Sequence, residues 1–338
     1  MKAVWYEQQG PAAEVLQYGE MPTPEPGPGE VRVRLHASAV NPADANRRAG
    51  RLHGMEFPRI IPNSDGAGVV DAVGTGVDAT YVGQRVWLYF GQRGRPFGTA
   101  AEYICVPQEF VSPLPDHMSF EEGACLGIPC MTAWCALFAD GPLDGRRVLV
   151  TGGAGAVGHY AVQLAKAAGA FVLATVSSDA KARHARRGGA DVVIDYTQGD
   201  VAAAVLDATR GQGVDRIVDV DAAANAGVVL ASAADGAVWV SYAMGAQATA
   251  AVPMAGLIRK NLVLCGLFLP GLGSAARRQA QQGVSQWLRE APDAIHAIDR
   301  RFRLTETQLA HRAVEAGSKL GTVVVLCEET EKARGCAS

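Results

Sequence analysis

The chain has 338 residues, 49% hydrophobic and 19% charged, with a formal net charge of −3. That length exceeds one average core and points to two lobes, while the near-neutral charge gives no long-range field for gathering polyanions and speaks against a nucleic-acid partner. No 18-residue apolar run and no apolar stretch behind Lys2 signals membrane insertion or export, so a cytoplasmic protein with its seven cysteines reduced is expected.

Residues 22–29, PTPEPGPG, are half proline and suit neither a helix nor a central strand. They lead into VRVRLHASAV, where Val31, Val33, Leu35, Ala37 and Ala39 alternate as a half-buried strand requires. From there to about residue 120, short β-like runs (GVVDAVG, QRVWLYF, AEYICVP) are broken by Gly and Pro, so the first lobe is predicted to be mainly β. The pattern then changes. Apolar strands RVLVT (147–151), FVLATVS (171–177), DVVIDY (191–196), RIVDV (216–220), AVWVS (237–241) and NLVLCGL (261–267) recur every 20 to 25 residues, most of them separated by alanine-rich helical stretches. Strands without strict alternation, each followed by a helix, fit a parallel sheet buried on both faces, so the second lobe reads as a six-stranded doubly wound α/β fold. After about residue 270 come another amphipathic segment, a closing strand GTVVVLCEE and a polar tail expected to be loose.

RVLVTGGAGAVGHYAVQLAKAAG places Gly153, Gly155 and Gly158 in G-x-G-x-x-G spacing between a strand and a helix. The first glycine permits a tight turn, the second lets backbone approach a pyrophosphate, and the third allows close helix–strand packing. In the following helix Val157, Ala161, Leu164, Ala165 and Ala168 fall on one face, and Gly169 is a stop signal. The helix N-terminus would offer free N–H groups and partial positive charge to a dinucleotide.

The next strand ends in Ser177 and Ser178, where an acidic side chain would accept bonds from a ribose 2′-OH and repel a 2′-phosphate. Lys181, Arg183, His184 and Arg186 follow, with Asp179 the dissenting residue. Hydroxyls beside a cation suit a 2′-phosphate, so NADPH is favoured over NADH; a solvated helix face is the competing reading. Tyr196, closing the third strand, offers a phenol contact.

No C-x-x-C occurs, and Cys125, Cys130 and Cys135 are five apart, which spreads them around a helix as small core residues. The seven histidines are scattered without ligand spacing, and no zinc site is expected. Without a Lewis acid the developing alkoxide of a simple ketone is poorly stabilised, so the acceptor must be more electrophilic, as quinones and α,β-unsaturated carbonyls are. Neither a Ser/His/Asp nor a Cys/His constellation can be justified from spacing, and the Tyr-x-x-x-Lys of short-chain reductases is missing.

Together these features resemble the zinc-independent, zeta-crystallin-like quinone oxidoreductase branch of the medium-chain dehydrogenase/reductase superfamily, from MKAVWYEQQGPAAEVL to GSKLGTVVV. In VNPADANRRAG, Asn41 stands where the superfamily's zinc enzymes carry a cysteine; in PNSDGAGVVDAVG, Ser64 and Asp65 replace a His-Glu pair. GIPCMTAWCAL resembles the helix before the cofactor domain, and GGAGAVG the branch's phosphate loop. The resemblance implies Gly155, Ala156 and Val157 at the pyrophosphate, Asn41 beside the nicotinamide ribose, and Thr132 near the nicotinamide. It further implies Ser177, Lys181 and Tyr196 around the 2′-phosphate, Ser241 and Tyr242 at the cofactor, and Leu267 to Leu269 closing over the nicotinamide. Two positions depart from the pattern: Asn46 stands where many members have a pocket tyrosine, and Gly321-Thr322 replaces a Gly-Lys.

The expected architecture is a GroES-like, mainly β catalytic domain (1–123 and 271–338) and a Rossmann NADP-binding domain (124–270), with the active site in an interlobe cleft. Asn41 is the one expected catalytic participant, orienting cofactor or substrate; His53 and Asp44 are more often surface or structural residues. The function implied is NADPH-dependent quinone reduction in a homodimer formed through an edge strand of the Rossmann sheet. An enal or enone (alkene) reductase of the same fold and a non-catalytic NADPH-binding sensor remain alternatives, and one- and two-electron reduction are equally open.

Overall fold

The computed structural model describes residues 1–138, 140–245, 247 and 249–328; the polar tail beyond lies outside the described residues. The chain divides into two units, Met1–Ile128 with the segment that begins at His296, and Pro129–Ile295. Strands run in chain order. The first seven are β1 (Lys2–Trp5), β2 (Gln17–Glu20), β3 (Glu30–Val40), β4 (Asp65–Val73), β5 (Arg85–Leu88), β6 (Tyr103–Pro107) and β7 (Val111–Pro113). The second unit supplies β8 (Arg147–Val150), β9 (Phe171–Val176), β10 (Val192–Asp195), β11 (Val214–Asp219), β12 (Ala233–Ser241) and β13 (Val263–Gly266). β14 (Ile298–Arg303) and β15 (Thr322–Leu326) return to the first unit.

In the first unit the main sheet has the order β14-β15-β3-β4-β5-β7, with β6 also paired to β3. β3 is its spine because its alternating residues Val31, Val33, Leu35, Ala37 and Ala39 are all fully buried, as their period of two requires. The strand ends at Asn41, where Pro42 opens the helix Pro42–Arg48 and the Asp44 carboxylate accepts the Asn41 N–H at 2.9 Å. Arg48 at the far end is completely buried and donates to Glu315 and to the Gly10 carbonyl, which ties that helix to the helix Thr307–Glu315. The same late helix carries His311, whose Nε2 meets the Asn63 Oδ1 at 3.0 Å. From Asn63 a buried chain of hydrogen bonds runs through Ser38 and Thr99 to the Asp65 carbonyl.

The second unit holds a six-stranded, wholly parallel sheet in the order β10-β9-β8-β11-β12-β13. Its core gathers Leu149, Leu173, Val205, Ile217, Val229 and Trp239 from strands and covering helices. Two sequence readings change here. The helix Ala156–Ala167 is buried not along one face but over the whole run Gly158–Ala165, because the helix Ser274–Glu290 lies over it with Trp287 edge-on to Tyr160 at 6.1 Å. For the same reason residues 271–295 pack in the second unit rather than returning to the first, and the return begins at His296. The three cysteines of the helical stretch are core residues, Cys125 and Cys130 fully buried and Cys135 nearly so.

Burial, with a smaller contribution from Arg48, pushes the His311 ring down to about 3. An unfolded chain protonates this ring below about 6.5 while the folded one does not, so stability present above that value is lost as pH falls toward 3. Burial raises Asp44 and Asp65, which titrate with the opposite sign, so the variant comparison is what isolates His311. Between pH 7 and pH 5 the advantage of wild type over His311→Gln is expected to shrink by about 2 kcal/mol, read from denaturant midpoints.

Candidate functional site

The carboxyl ends of the six parallel strands share one edge of the second unit, and β8 sits where the chain's winding reverses between β9 and β11, the place where open α/β sheets bind ligands. β8 runs into Thr151 and then the glycine loop. Gly152, which the spacing pattern did not single out, takes the left-handed conformation at φ +66° and makes the turn. A Cβ on Gly153 would stand 2.7 Å from the Ala174 methyl, and one on Gly158 would stand 2.3 Å from the Gly152 carbonyl oxygen, so both glycines permit close packing. Gly155 differs: a Cβ there would meet only the Gly152 oxygen, at 3.4 Å. It caps the helix Ala156–Ala167, and the first intrahelical bond runs from the His159 N–H to the Gly155 carbonyl. The N–H groups of Ala156, Val157 and Gly158 therefore have no carbonyl a turn back to bond. Such a cradle fits a pyrophosphate.

Ser177 follows the end of β9, and the helix Asp179–Arg187 begins with Ser178 as its cap. Lys181 on the first turn donates its Nζ to the Ser177 Oγ at 3.0 Å, joining the hydroxyl and the cation in one spot. Tyr196 follows β10 on the neighbouring strand, its N–H bonded to the Val176 carbonyl at 3.0 Å and its ring half in solvent. On the other side of β8, Ser241 closes β12 in register with Asp219 of β11 and Gly266 of β13. The Tyr242 N–H bonds the Asp219 carbonyl at 3.1 Å and the Leu267 N–H bonds the Ser241 carbonyl at 2.8 Å. Burial raises the Tyr242 phenol above its ordinary value, so it stays protonated. Leu269 is buried. Thr132 lies on the helix Gly127–Phe138, also buried.

Sequence reasoning missed the residue that aligns these strand ends. The Asp219 carboxylate accepts from Thr151 Oγ1 at 2.8 Å, Asn225 Nδ2 at 2.7 Å and Trp239 Nε1 at 2.9 Å. An Asp inside an apolar strand, RIVDV, was the available signal.

In the first unit Asn41 is buried within a compact polar cluster. Its Nδ2 donates to Asp65 Oδ2 at 2.7 Å, the Ile128 N–H donates to the same oxygen at 2.9 Å, and Ser64 Oγ donates to Asp44 Oδ1 at 2.7 Å. Asp44 is thus a fully buried cap for its own helix. His53 lies exposed on a loop, its ring Nδ1 2.9 Å from the Gly54 carbonyl. Among the described residues no group of three or more His, Cys, Asp or Glu side chains is placed to hold a metal ion, and no helix is long and apolar enough to cross a membrane.

Comparison with known proteins finds two family models along the chain, the alcohol dehydrogenase GroES-like domain over residues 27–116 and the zinc-binding dehydrogenase over residues 156–290. A quinone oxidoreductase of Pseudomonas aeruginosa is 34% identical over 318 residues, covering 93% of this chain and 96% of the relative. A trans-enoyl reductase of Aspergillus terreus is 37% identical over 217 residues, 59% of this chain and 70% of that one. The solved structure of an NAD-dependent alcohol dehydrogenase superposes with a TM-score of 0.87 at 30% identity, covering 97% of this chain and all of that chain (100%).

The glycine geometry separates packing from binding. Gly158→Ala is expected to destabilise the protein by about 1–3 kcal/mol through backbone overlap. Gly155→Ala should cost well under about 1 kcal/mol yet weaken dinucleotide binding about tenfold, because its methyl enters the cradle. Thermal melts and fluorescence titration of the nucleotide measure both.

Proposed function

The chain belongs to the zeta-crystallin-like quinone oxidoreductase branch of the medium-chain dehydrogenase/reductase superfamily, and from that membership we propose that it reduces quinones with NADPH, without zinc. The observation that carries this proposal is the cluster at Asn41. The positions that the resemblance assigns to zinc ligands and their neighbour hold a carboxamide, a hydroxyl and a carboxyl, and these bond to one another and to Asp44. With no Lewis acid to hold a developing alkoxide, the substrate must spread the incoming charge itself, as a quinone ring does.

When bound, the reduced nicotinamide supplies a hydride. The chain's own residues do the rest. The N–H groups at Ala156, Val157 and Gly158 would bind the pyrophosphate at the helix N-terminus, where the helix dipole adds to them. Ser177 and Lys181 would hold a 2′-phosphate, with Tyr196 beside them; Lys181 already points at Ser177 and no acid ends β9 to repel it. Ser241, Tyr242, Leu267 and Leu269 would flank the nicotinamide end, and Thr132 would contact it. Asn41 would orient the ribose or the substrate rather than give or take a proton. Rate would come from positioning and from keeping water out.

The likeness to the trans-enoyl reductase supports a second reading, reduction of an enal or enone by the same residues. NADPH oxidation at 340 nm with 1,4-benzoquinone, 9,10-phenanthrenequinone and 2-hexenal decides between them. Chelator-resistant turnover of quinones is expected. Turnover of hexenal alone would make the chain an alkene reductase, and binding without turnover a sensor. Lys181→Ala combined with Ser177→Asp is expected to lower the NADPH-to-NADH preference in kcat/KM by at least about tenfold, because a carboxylate there repels the 2′-phosphate.

We further propose a homodimer formed through β13, the edge strand of the parallel sheet. All four of its residues are exposed, and the nearby Ile258 and Phe268 are about 70% exposed. An unpaired apolar edge is a template for pairing with a second copy. Leu264→Glu is expected to give a monomer in sedimentation velocity.

A further inference from the structure

Two buried imidazoles of the second unit take no part in the chemistry above. His159 stands near the start of the helix Ala156–Ala167, just after the glycine loop, and His184 on the second turn of the helix Asp179–Arg187. Their rings meet at 2.7 Å between His184 Nε2 and His159 Nδ1. On its far side His159 Nε2 meets the Ile295 carbonyl, and the Gln163 side chain grips the same residue, accepting its N–H at 2.8 Å and donating to its oxygen at 2.9 Å. A carbonyl oxygen can only accept, which assigns the His159 hydrogen to Nε2 and leaves its Nδ1 bare. His184 must then donate through Nε2. The ring nitrogen left to take up a proton is His184 Nδ1, which has no partner among the described residues. The pair therefore has room for one added proton, at a fixed atom, gained without breaking a bond of this network.

The surroundings decide when that proton arrives. His184 shares its helix with Asp179, Lys181, Arg183, Arg186 and Arg187; the helix Ala156–Ala167 brings His159 and Lys166, and β9 carries no charged residue. Asp191, just before β10, is bonded to Lys166, and Asp195, at its end, to Thr197. Burial, and after it Arg187, holds the His184 ring below its ordinary value, so the ring is neutral at pH 7. Lys181 lies three residues before His184, on the same side of the helix, and its ammonium meets the Ser177 hydroxyl and no carboxylate. A dianion placed there would attract a proton to His184 through the intervening turn. We infer that His184 is a specificity residue that takes up a proton when a 2′-phosphate settles at Ser177 and Lys181, so that mild acid tightens binding of the phosphorylated dinucleotide alone. The inference rests on the reading of Ser177 and Lys181 as a 2′-phosphate site and uses only groups of the second unit.

The test is calorimetric titration of the full chain with NADP⁺ and NAD⁺ at pH 8 and pH 6.5, which needs no turnover. Between these values wild type is expected to gain about threefold in NADP⁺ affinity relative to His184→Gln, which keeps a donor toward His159 and does not titrate. Repeated at pH 6.5 in two buffers of different ionisation enthalpy, the titration should show wild type taking up about half a proton more than the variant. The 2′-phosphate's own titration is common to both proteins and cancels in that comparison. NAD⁺ should show neither difference. Circular dichroism checks the fold; should His184→Gln not fold, Arg187→Ala replaces it, and loss of that cation is expected to move the proton uptake to higher pH. Equal pH dependence in wild type and a folded His184→Gln, the same difference with NAD⁺, or an unmoved profile in Arg187→Ala would each overturn the inference. In those cases a preference for NADP⁺ at pH 8 leaves the 2′-phosphate reading standing; no such preference at pH 8 removes both.

Discussion

Asp219 takes hydrogen bonds on both carboxylate oxygens inside the parallel sheet, from Thr151, Asn225 and the Asp221 N–H on one and from the Trp239 indole on the other. Those donors come from β12 and from the segments that leave β8 and β11, so one buried group sets how far each strand runs before it turns. Thr151 is the residue before the glycine loop, and its hydroxyl also accepts the Val220 N–H at 2.9 Å. The glycine loop is therefore hung from Asp219 through one threonine. A buried carboxyl is tolerable when hydrogen-bond donors reach both of its oxygens, as they do here. The glycines then need only shape the turn, because its starting point is already fixed.

The two glycine roles follow from that fixed start. With Thr151 anchored, Gly158 must lie against the Gly152 carbonyl for the helix to begin where it does, and a side chain there would push the helix off the sheet. Gly155 is packed against nothing comparable. Packing does not require its lack of a side chain, since the fold would accept a methyl group there. Such a distinction between a glycine that packing requires and one that it does not is invisible in a G-x-G-x-x-G pattern, which gives all three the same letter.

Much of the fold was legible because its causes are local. The alternation in VRVRLHASAV reports the two faces of β3, and the apolar runs spaced by alanine-rich helices report a sheet covered on both sides. The approach of Ser177 to Lys181 was legible for the same reason, since four residues span one helical turn from a strand end. What the sequence hid depends on distant partners. Tyr160 gave no sign of being buried in the sequence because the helix Ser274–Glu290 that covers it is distant along the chain, and that helix in turn moved residues 271–295 from one unit to the other. Arg48, near the end of its helix, is wholly buried, and Glu315, 267 positions later, reaches it.

Asp65 and Asp219 show why buried carboxyls repay separate treatment. Both sit in strands, and neither pairs with a cation among the described residues. Asp219 has donors on each oxygen, and its work is to hold a turn. Asp65 has donors on one oxygen only, and burial drives it toward the neutral form. If its purpose were packing, a small apolar side chain would fill the site without an unpaired oxygen. If its purpose were charge, a cation would stand nearby, whereas one of its ionisable neighbours is another carboxyl, Asp44, bonded to Ser64 and to the Asn41 backbone. What Asp65 does supply is one well-placed acceptor for the Asn41 amide. Its unpaired oxygen is the cost of holding that one polar side chain in place.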